Sequence, residues 1–333
     1  MSNYLIYHVK KTSIRYVVLL LISLLSVWGK IAFTLNEDSI MGELRLINLV
    51  TYAAFVLLIP MLIAMLEFSQ FMNRRNLDTW FSMPISRVEL FLIHFGNGLV
   101  HLLLSYIPAA LVGYVQIADK FDSHKISRLA GSYLFSAGVF MVLAYFLFVF
   151  LFTSANNTFD GLVFMLEAFA APVAVTRILT GIFGELPGGF DGMGIFSIIY
   201  RLTSYYMVKA NDLLEMLVSE NDEEPVLAAE AVLWAVICIA ALAGAIWQFK
   251  VRKTEKVSGT SDSLFGYKVM IPLVTLGSLI AGQGFIISTV FALIVMAVGY
   301  IIYRRGIKLT RYDLISMGAL VFVAIIVTAV NNV

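Results

Sequence analysis

Long apolar runs separated by short polar segments recur along the whole chain and limit its possible folds more than any other feature. A helix needs about 20 mostly apolar residues to cross a bilayer. The candidate spans lie at about residues 15–35, 46–67, 90–117, 130–153, 161–183, 226–249, 268–283, 286–303 and 313–331. The seventh and eighth share one apolar stretch, which Gly282-Gln283-Gly284 divides into a predicted tight hairpin, with one long tilted span as the alternative.

The composition agrees with this pattern. The 333 residues are 60% hydrophobic and 14% charged, with a mean hydropathy of +0.89. A soluble domain of ordinary composition has a larger charged fraction and could not bury so much apolar surface. We therefore predict an all-α polytopic membrane protein. The net charge of +1 lacks the concentrated basic face that nucleic acids require, which argues against such a partner.

The basic residues are unevenly divided between the two sides of the predicted spans. Most fall on the side that carries the N-terminus: Lys10, Lys11, Arg15, Arg74, Arg75, Arg87, Lys250, Arg252, Lys253, Lys256, Lys268, Arg304, Arg305, Lys308 and Arg311. Fewer fall on the other side: Arg45, Lys120, Lys125, Arg128, Arg201 and Lys209. Because cytoplasmic segments carry an excess of Lys and Arg, we predict a multi-pass protein with a cytoplasmic N-terminus.

The outer segment at about 184–225 is the most unusual connection. It opens with several glycines, continues as an aromatic and aliphatic stretch that includes Tyr200 and Tyr205, and ends in an acidic run before Pro225. The stretch has too many polar residues for a free span. We expect one or two helices that lie at the outer interface or dip into it, packed against other spans or lining a cavity.

The chain has no motif typical of an enzyme or of a nucleotide site of its own. It contains neither the P-loop pattern nor H-E-x-x-H. His94 and His101 are seven residues apart, roughly on one helix face, and we favour interhelical hydrogen bonding or an inner-end position over a metal site. Glu67 lies near the inner end of the second span, where solvation is at least as good an interpretation as function. Glu167 lies within the fifth span, and both a structural and a pathway role stay open.

The inner segment between the second and third spans has a distinct local pattern. Asn76 or Asp78 can cap a short helix, which Pro84 ends. The apolar side of that helix would be Leu77, Trp80 and Phe81. Ser86 is a good N-cap, and Glu89 three residues later completes a capping box at the start of the third span. The pattern predicts a short amphipathic helix at the inner surface, able to transmit force from a cytoplasmic partner.

This segment resembles the cytoplasmic signature of ABC-2-type exporter permeases. The family pattern is approximately L-[DE]-T-L-L-S-L-P-[IV]-[ST]-R-x-E-L, and the matching residues are Leu77-Asp78-Thr79 and Ser82-Met83-Pro84-Ile85-Ser86-Arg87-x-Glu89-Leu90. Weaker similarity extends over residues 1–250. Within the family, the chain is similar to Firmicute exporters of phenol-soluble modulins and other amphipathic peptides.

The resemblance implies a six-span core of the type V exporter kind at residues 1–250, with a coupling segment at about 70–89 and an outer re-entrant segment at about 184–225. A cytoplasmic linker at 251–266, expected to be flexible, and a transmembrane extension at 267–333 with two or three further helices would follow. The implied ATPase-coupling residues are Arg74, Arg75, Leu77, Asp78, Thr79, Trp80, Pro84, Arg87 and Glu89. The pathway candidates are Glu167, Tyr200 and Tyr205. The spans beyond residue 266 are a departure from the family, because they exceed its usual six, and the sequence assigns them no role.

The implied function is that of a permease subunit in a bacterial plasma membrane. It would move a hydrophobic or amphipathic peptide, or a lipid-like substrate, outward. The partners would be separate ATPase subunits, which bind ATP and Mg²⁺, and a second copy or a paralogue of the permease. The alternative is an ion- or proton-coupled secondary transporter, for which Glu67 and Glu167 are sparse as a relay.

Overall fold

The computed structural model describes residues 10–24, 43–73, 85–120, 124–183, 205, 224–251, 259, 261, 267–281, 286–304 and 306–331. Within these residues the chain is almost entirely helical and has no strand, which confirms the predicted all-α class. Much of the coupling segment, nearly all of the outer segment and most of the linker lie outside the described residues.

Each predicted span corresponds at least in part to a described helix. The helices are α1 (residues 10–24), α2 (Glu43–Phe68, followed by the 3₁₀ turn Ser69–Met72), α3 (Arg87–Lys120), α4 (His124–Ser154), α5 (Thr158–Phe183), α6 (Glu224–Val251), α7 (Tyr267–Ala281), α8 (Ile286–Arg304) and α9 (Arg311–Asn331).

Three of the described segments are long and apolar enough to cross a membrane: Arg87–Val115, Ser127–Ser154 and Ala231–Val251. Shorter apolar helices cover Val56–Met72, Tyr267–Gly277 and Thr289–Tyr303. Large apolar side chains point outward from these helices, as at Phe135, 75% exposed, and Trp247, 66% exposed. Such surfaces are unfavourable in water and favourable in lipid. The observed helices are therefore consistent with a membrane protein, and the six-span core stays a prediction.

The chain divides into two compact units, of which the first contains α1, α2, α3, α4 as far as Phe150, and α6. Within it, α2 packs against α3, and α3 packs against α6. Its core near the end of α2 is aromatic. The ring centroid of Phe91 lies 5.4 Å from that of Phe68 and 5.4 Å from that of Phe249, and Phe71 meets Phe249 edge-on at 5.2 Å. Tilted and edge-to-face ring pairs are favourable beyond the area they bury.

The second unit contains the end of α4 together with α5, α7, α8 and α9. Helix α7 is its centre, because it packs against α5, α8 and α9. The buried core of α7–α9 consists of Leu279, Ala292, Met296, Tyr300 and Leu320. Gly299 of α8 faces Ile271 of α7, and a Cβ built on this glycine would lie 3.3 Å from the Ile271 side chain. Two helices packed in this way match the predicted hairpin and not one long tilted span. The domain boundaries predicted from the sequence stay a prediction.

Local capping explains where several helices begin. Asn157 Oδ1 accepts a hydrogen bond from the Asp160 N–H at 2.8 Å before α5, and Asp313 Oδ2 accepts from the Thr310 N–H at 2.7 Å before α9. Both sequences place Asn or Thr three residues before Asp. This spacing satisfies N–H groups that an isolated helix end leaves without a partner.

Candidate functional site

The start of α3 lies at the downstream end of the predicted coupling segment and is closed by a reciprocal pair of hydrogen bonds. The Ser86 N–H donates to Glu89 Oε2 at 3.1 Å, and the Glu89 N–H donates to Ser86 Oγ at 3.2 Å. The first helical hydrogen bond runs from the Leu90 N–H to the Ser86 carbonyl at 2.9 Å. The predicted capping box is confirmed, and it holds the backbone of the first turn of α3 in place.

The upstream boundary is the end of α2, where Glu67 is buried. Its exposure is only 1%, so of the two interpretations left open by the sequence, solvation and function, the solvated one is wrong. Glu67 Oε2 lies 3.3 Å from His94 Nδ1, and Glu67 Oε1 accepts a hydrogen bond from Asn97 Nδ2 at 3.0 Å. Both partners are on α3. A buried carboxylate is stable only when its oxygens are hydrogen-bonded or paired, and α3 provides those partners.

His94 is placed to act as a bridge between two side chains of the α2 end. The side-chain Nε2 of Gln70 lies 3.0 Å from His94 Nδ1 and 3.2 Å from His94 Nε2. An amide nitrogen can only donate, and a carboxylate can only accept. A neutral imidazole satisfies both partners when Nδ1–H donates to Glu67 and Nε2 accepts from Gln70. The ring of Phe71 packs edge-on against His94 at 4.8 Å and helps to hold the imidazole in this orientation.

Helix α1 is joined to the same carboxylate. Asn97 Nδ2 also donates to Thr12 Oγ1 at 3.4 Å, and Arg15 Nη1 donates to the carbonyl of Leu66 at 3.1 Å. The ring of Tyr16 stacks on that of His101 at 6.2 Å.

His101 completes this group of residues. Its Nδ1 lies 3.5 Å from Glu67 Oε1. We call the buried or half-buried set Thr12, Glu67, Gln70, His94, Asn97 and His101 the polar junction. It connects α1, α2 and α3 through hydrogen bonds and one close carboxylate–imidazole approach.

The favoured interpretation of the two histidines is confirmed, because His94 makes interhelical contacts and His101 lies against both α1 and α2. The part of the chain that the structure describes contains no group of three His, Cys, Asp or Glu side chains able to hold a metal ion. His94 and His101 approach different oxygens of the Glu67 carboxylate, at 3.3 Å and 3.5 Å respectively.

The other predicted site residues are only partly described. Arg87 and Glu89 are exposed at the start of α3, and Tyr205 is helical and half-buried. Glu167 is half-buried on α5, and its Oε2 is buried without a hydrogen-bond partner among the described residues. The remaining predicted residues lie outside the described residues: Arg74, Arg75, Leu77, Asp78, Thr79, Trp80, Pro84 and Tyr200.

The sequence interpretation missed Thr12, Gln70 and Asn97. A usable signal exists on each helix, since polar residues follow one another at helical spacing, as in Glu67 and Gln70. That spacing shows that a helix has a polar face. It does not show which faces meet, and this pairing is what buries the junction.

Comparisons with family models, with curated proteins and with solved structures give no match to this chain. The arrangement around Glu67 and at the start of α3 is therefore interpreted from its own geometry and chemistry.

Proposed function

We propose that the chain is the membrane-spanning permease subunit of an ABC exporter, driven by ATP hydrolysis on separate ATPase subunits. The observation that carries the proposal is the Ser86–Glu89 capping box, which forms at the end of the coupling-like motif and starts a helix of membrane-spanning length. A segment that transmits force must enter its helix at a defined angle, and a reciprocal cap provides that constraint.

The polar junction supports the same function. The coupling segment has Gln70 and Phe71 near its start and α3 at its end, and these two flanks are held together through His94. A displacement of either end of the coupling segment is therefore transmitted to both α2 and α3. Through Asn97 and Thr12 it also reaches α1. Closure of an ATPase dimer can switch a permease between two states only if the inner ends of its helices respond together, and the junction joins three of them.

The substrate proposed for this permease is a hydrophobic or amphipathic peptide or a lipid-like molecule, moved outward across a bacterial plasma membrane. The candidate pathway contacts would be Glu167, Tyr200 and Tyr205. The permease would act with a second copy or a paralogue. ATP and Mg²⁺ would bind to the ATPase partner, since the chain has no P-loop of its own.

The test is co-purification from membranes with a P-loop ATPase, followed by ATP hydrolysis and transport in proteoliposomes. We expect Asp78→Lys to lower ATPase capture about tenfold, equivalent to about 1.4 kcal/mol of binding free energy. Asp119→Lys, an exposed charge reversal at the far end of α3, should leave capture unchanged. Transport by the purified chain alone, without ATP or an ATPase, would refute the proposal.

A second candidate function is a proton-coupled secondary transporter, and the burial of Glu67 against His94 and His101 specifically favours it. Ionisable side chains of this kind within membrane domains serve as proton relays in pumps and transporters. Proteoliposomes that contain only this chain distinguish the two functions. If an imposed pH gradient drives accumulation of an amphipathic peptide, and Glu67→Gln abolishes it, the second function is correct. No accumulation without ATP and the ATPase favours the first.

A further inference from the structure

The second unit contains a buried polar cluster that involves a residue of the linker. Ser261 is 1% exposed, and its Oγ donates to Asp160 Oδ2 at 2.6 Å and accepts from the Asn156 N–H at 2.8 Å. The Ser261 carbonyl accepts from the Tyr303 hydroxyl at 2.9 Å. The sequence predicts a flexible linker, but at this residue the linker is fixed to the start of α5 and to α8.

The other oxygen of Asp160 is also satisfied from the C-terminal helices. Tyr267, the first residue of α7, donates its hydroxyl to Asp160 Oδ1 at 3.1 Å. The Tyr267 ring lies 4.5 Å from that of Tyr303 and packs edge-on against Phe164 of α5 at 5.6 Å. Asp160, Ser261, Tyr267 and Tyr303, which we call the Asp160 cluster, are all buried. Hydrogen bonds to an ionised acceptor are stronger than neutral ones, and a buried partner left without its bond is costly.

A second contact joins α5 and α7 further along the helices. A Cβ built on Gly277 would lie 2.5 Å from Ala174 Cα and 3.1 Å from its carbonyl oxygen, so the two backbones touch at this point. Ala174 is fourteen residues after Asp160, or about 21 Å along α5. Helix α7 therefore contacts α5 at two separate places, at the Asp160 cluster and at the pair Gly277 and Ala174.

Glu167 lies midway between these two contacts. It is seven residues from Asp160 and seven from Ala174, and residues seven apart lie on nearly the same face of an α-helix. The face of α5 that carries the pathway candidate Glu167 is thus the face that meets the C-terminal helices.

We propose that α7, α8 and α9 are a brace for α5, and that α5 and these three helices behave as one body. The extension then sets the position of the α5 face that carries Glu167. The existence of the brace does not depend on the proposed function. A role of the brace in transport rests on the exporter proposal, because the position of α5 matters for function only if the chain undergoes a transport cycle.

The first experiment measures hydrogen–deuterium exchange in the full-length protein in nanodiscs. Ser261→Ala removes the hydroxyl between Asn156 and Asp160. We expect exchange at the first turns of α5 and at the start of α7 to rise about tenfold. Ser132→Ala is the matched control, because among the described residues its hydroxyl donates only to the Arg128 carbonyl of its own helix. Faster exchange confined to residues 259–267, with α5 unchanged, would overturn the proposal.

The second experiment uses two glycines of the C-terminal helices. Gly277→Ala forces α7 away from Ala174, whereas the methyl group of Gly318→Ala meets no atom of the described residues within 4 Å. We expect the first substitution to raise exchange in both α5 and α7 and the second to change neither. A change in α7 alone would contradict the brace. Exchange requires no ATP, ATPase or substrate, so this result is independent of whether the exporter proposal survives. A transport assay on the same variants then tests whether the brace is used.

Discussion

Replacing the carboxylate of Glu67 by an amide tests the polar junction most directly. In Glu67→Gln the side chain keeps its size but only one oxygen, whereas the carboxylate meets His94 Nδ1 at 3.3 Å and Asn97 Nδ2 at 3.0 Å. One of these donors must then face an NH₂ group. If His94 responds by moving its proton to Nε2, that N–H faces the Gln70 amide nitrogen at 3.2 Å, which cannot accept it. In either case one buried donor is left without an acceptor.

The expected loss in the free energy of unfolding is about 1–3 kcal/mol, the cost of one unsatisfied buried polar group. Denaturant unfolding of the purified protein in micelles measures it, with Asp119→Asn on α3 as an exposed control of the same charge change. Adding Gln70→Glu to the Glu67→Gln variant places a carboxylate where the Gln70 amide lies 3.0 and 3.2 Å from the two His94 nitrogens. It should restore part of the loss. If Glu67→Gln matched or exceeded the wild type in stability, the cost of burying a charge would dominate, and our account of the junction would be wrong.

Three further substitutions have defined outcomes. Gly98→Ala puts a methyl group against the Tyr145 hydroxyl and 2.9 Å from its Cζ, whereas Gly96→Ala on the same helix meets no atom within 4 Å in the part of the chain that the structure describes. Thermal unfolding should show a loss of about 1–3 kcal/mol in the free energy of unfolding for the first and no loss for the second. Ser86→Ala removes the cap of α3 and should lower the stability of its first turn by about 1 kcal/mol. Amide exchange at residues 87–90 should become faster. Unchanged exchange at these residues would contradict the capping role. Glu167→Gln should not lower the free energy of unfolding, because Oε2 has no hydrogen-bond partner among the described residues. A loss of transport at unchanged stability would assign Glu167 to the pathway. A loss of stability would show that the Glu167 carboxylate makes a stabilising contact, contrary to this expectation.

The beginning of α3 was predictable from the sequence because its determinants are local. Ser86 and Glu89 lie three residues apart, and the two hydrogen bonds they form depend only on the conformation of one helical turn. The apolar runs are also local features of the sequence, and each corresponds at least in part to a described helix. The hairpin of α7 and α8 was also predictable, since Gly282 and Gly284 interrupt a single apolar stretch.

The Glu67 environment was not predictable in this way. Its position near a span end suggests water, but packing of α2 against α3 and α1 closes that end and replaces water with His94 and Asn97. The pattern of polar residues at helical spacing identifies faces, and the choice between solvent and another helix depends on which faces meet.

The sequence by itself determined that this chain is a set of apolar helices suited to a bilayer, where most of them begin, and which short segment carries a coupling-like motif. Those properties follow from hydrophobic runs, helix periodicity and hydrogen bonds within one turn. Only the tertiary structure decided that Glu67 is buried, and that Ser261 reaches Asp160 from 101 residues away in the chain. The physical reason is that burial and long-range hydrogen bonds depend on the packing of separate helices, which no single stretch of sequence contains.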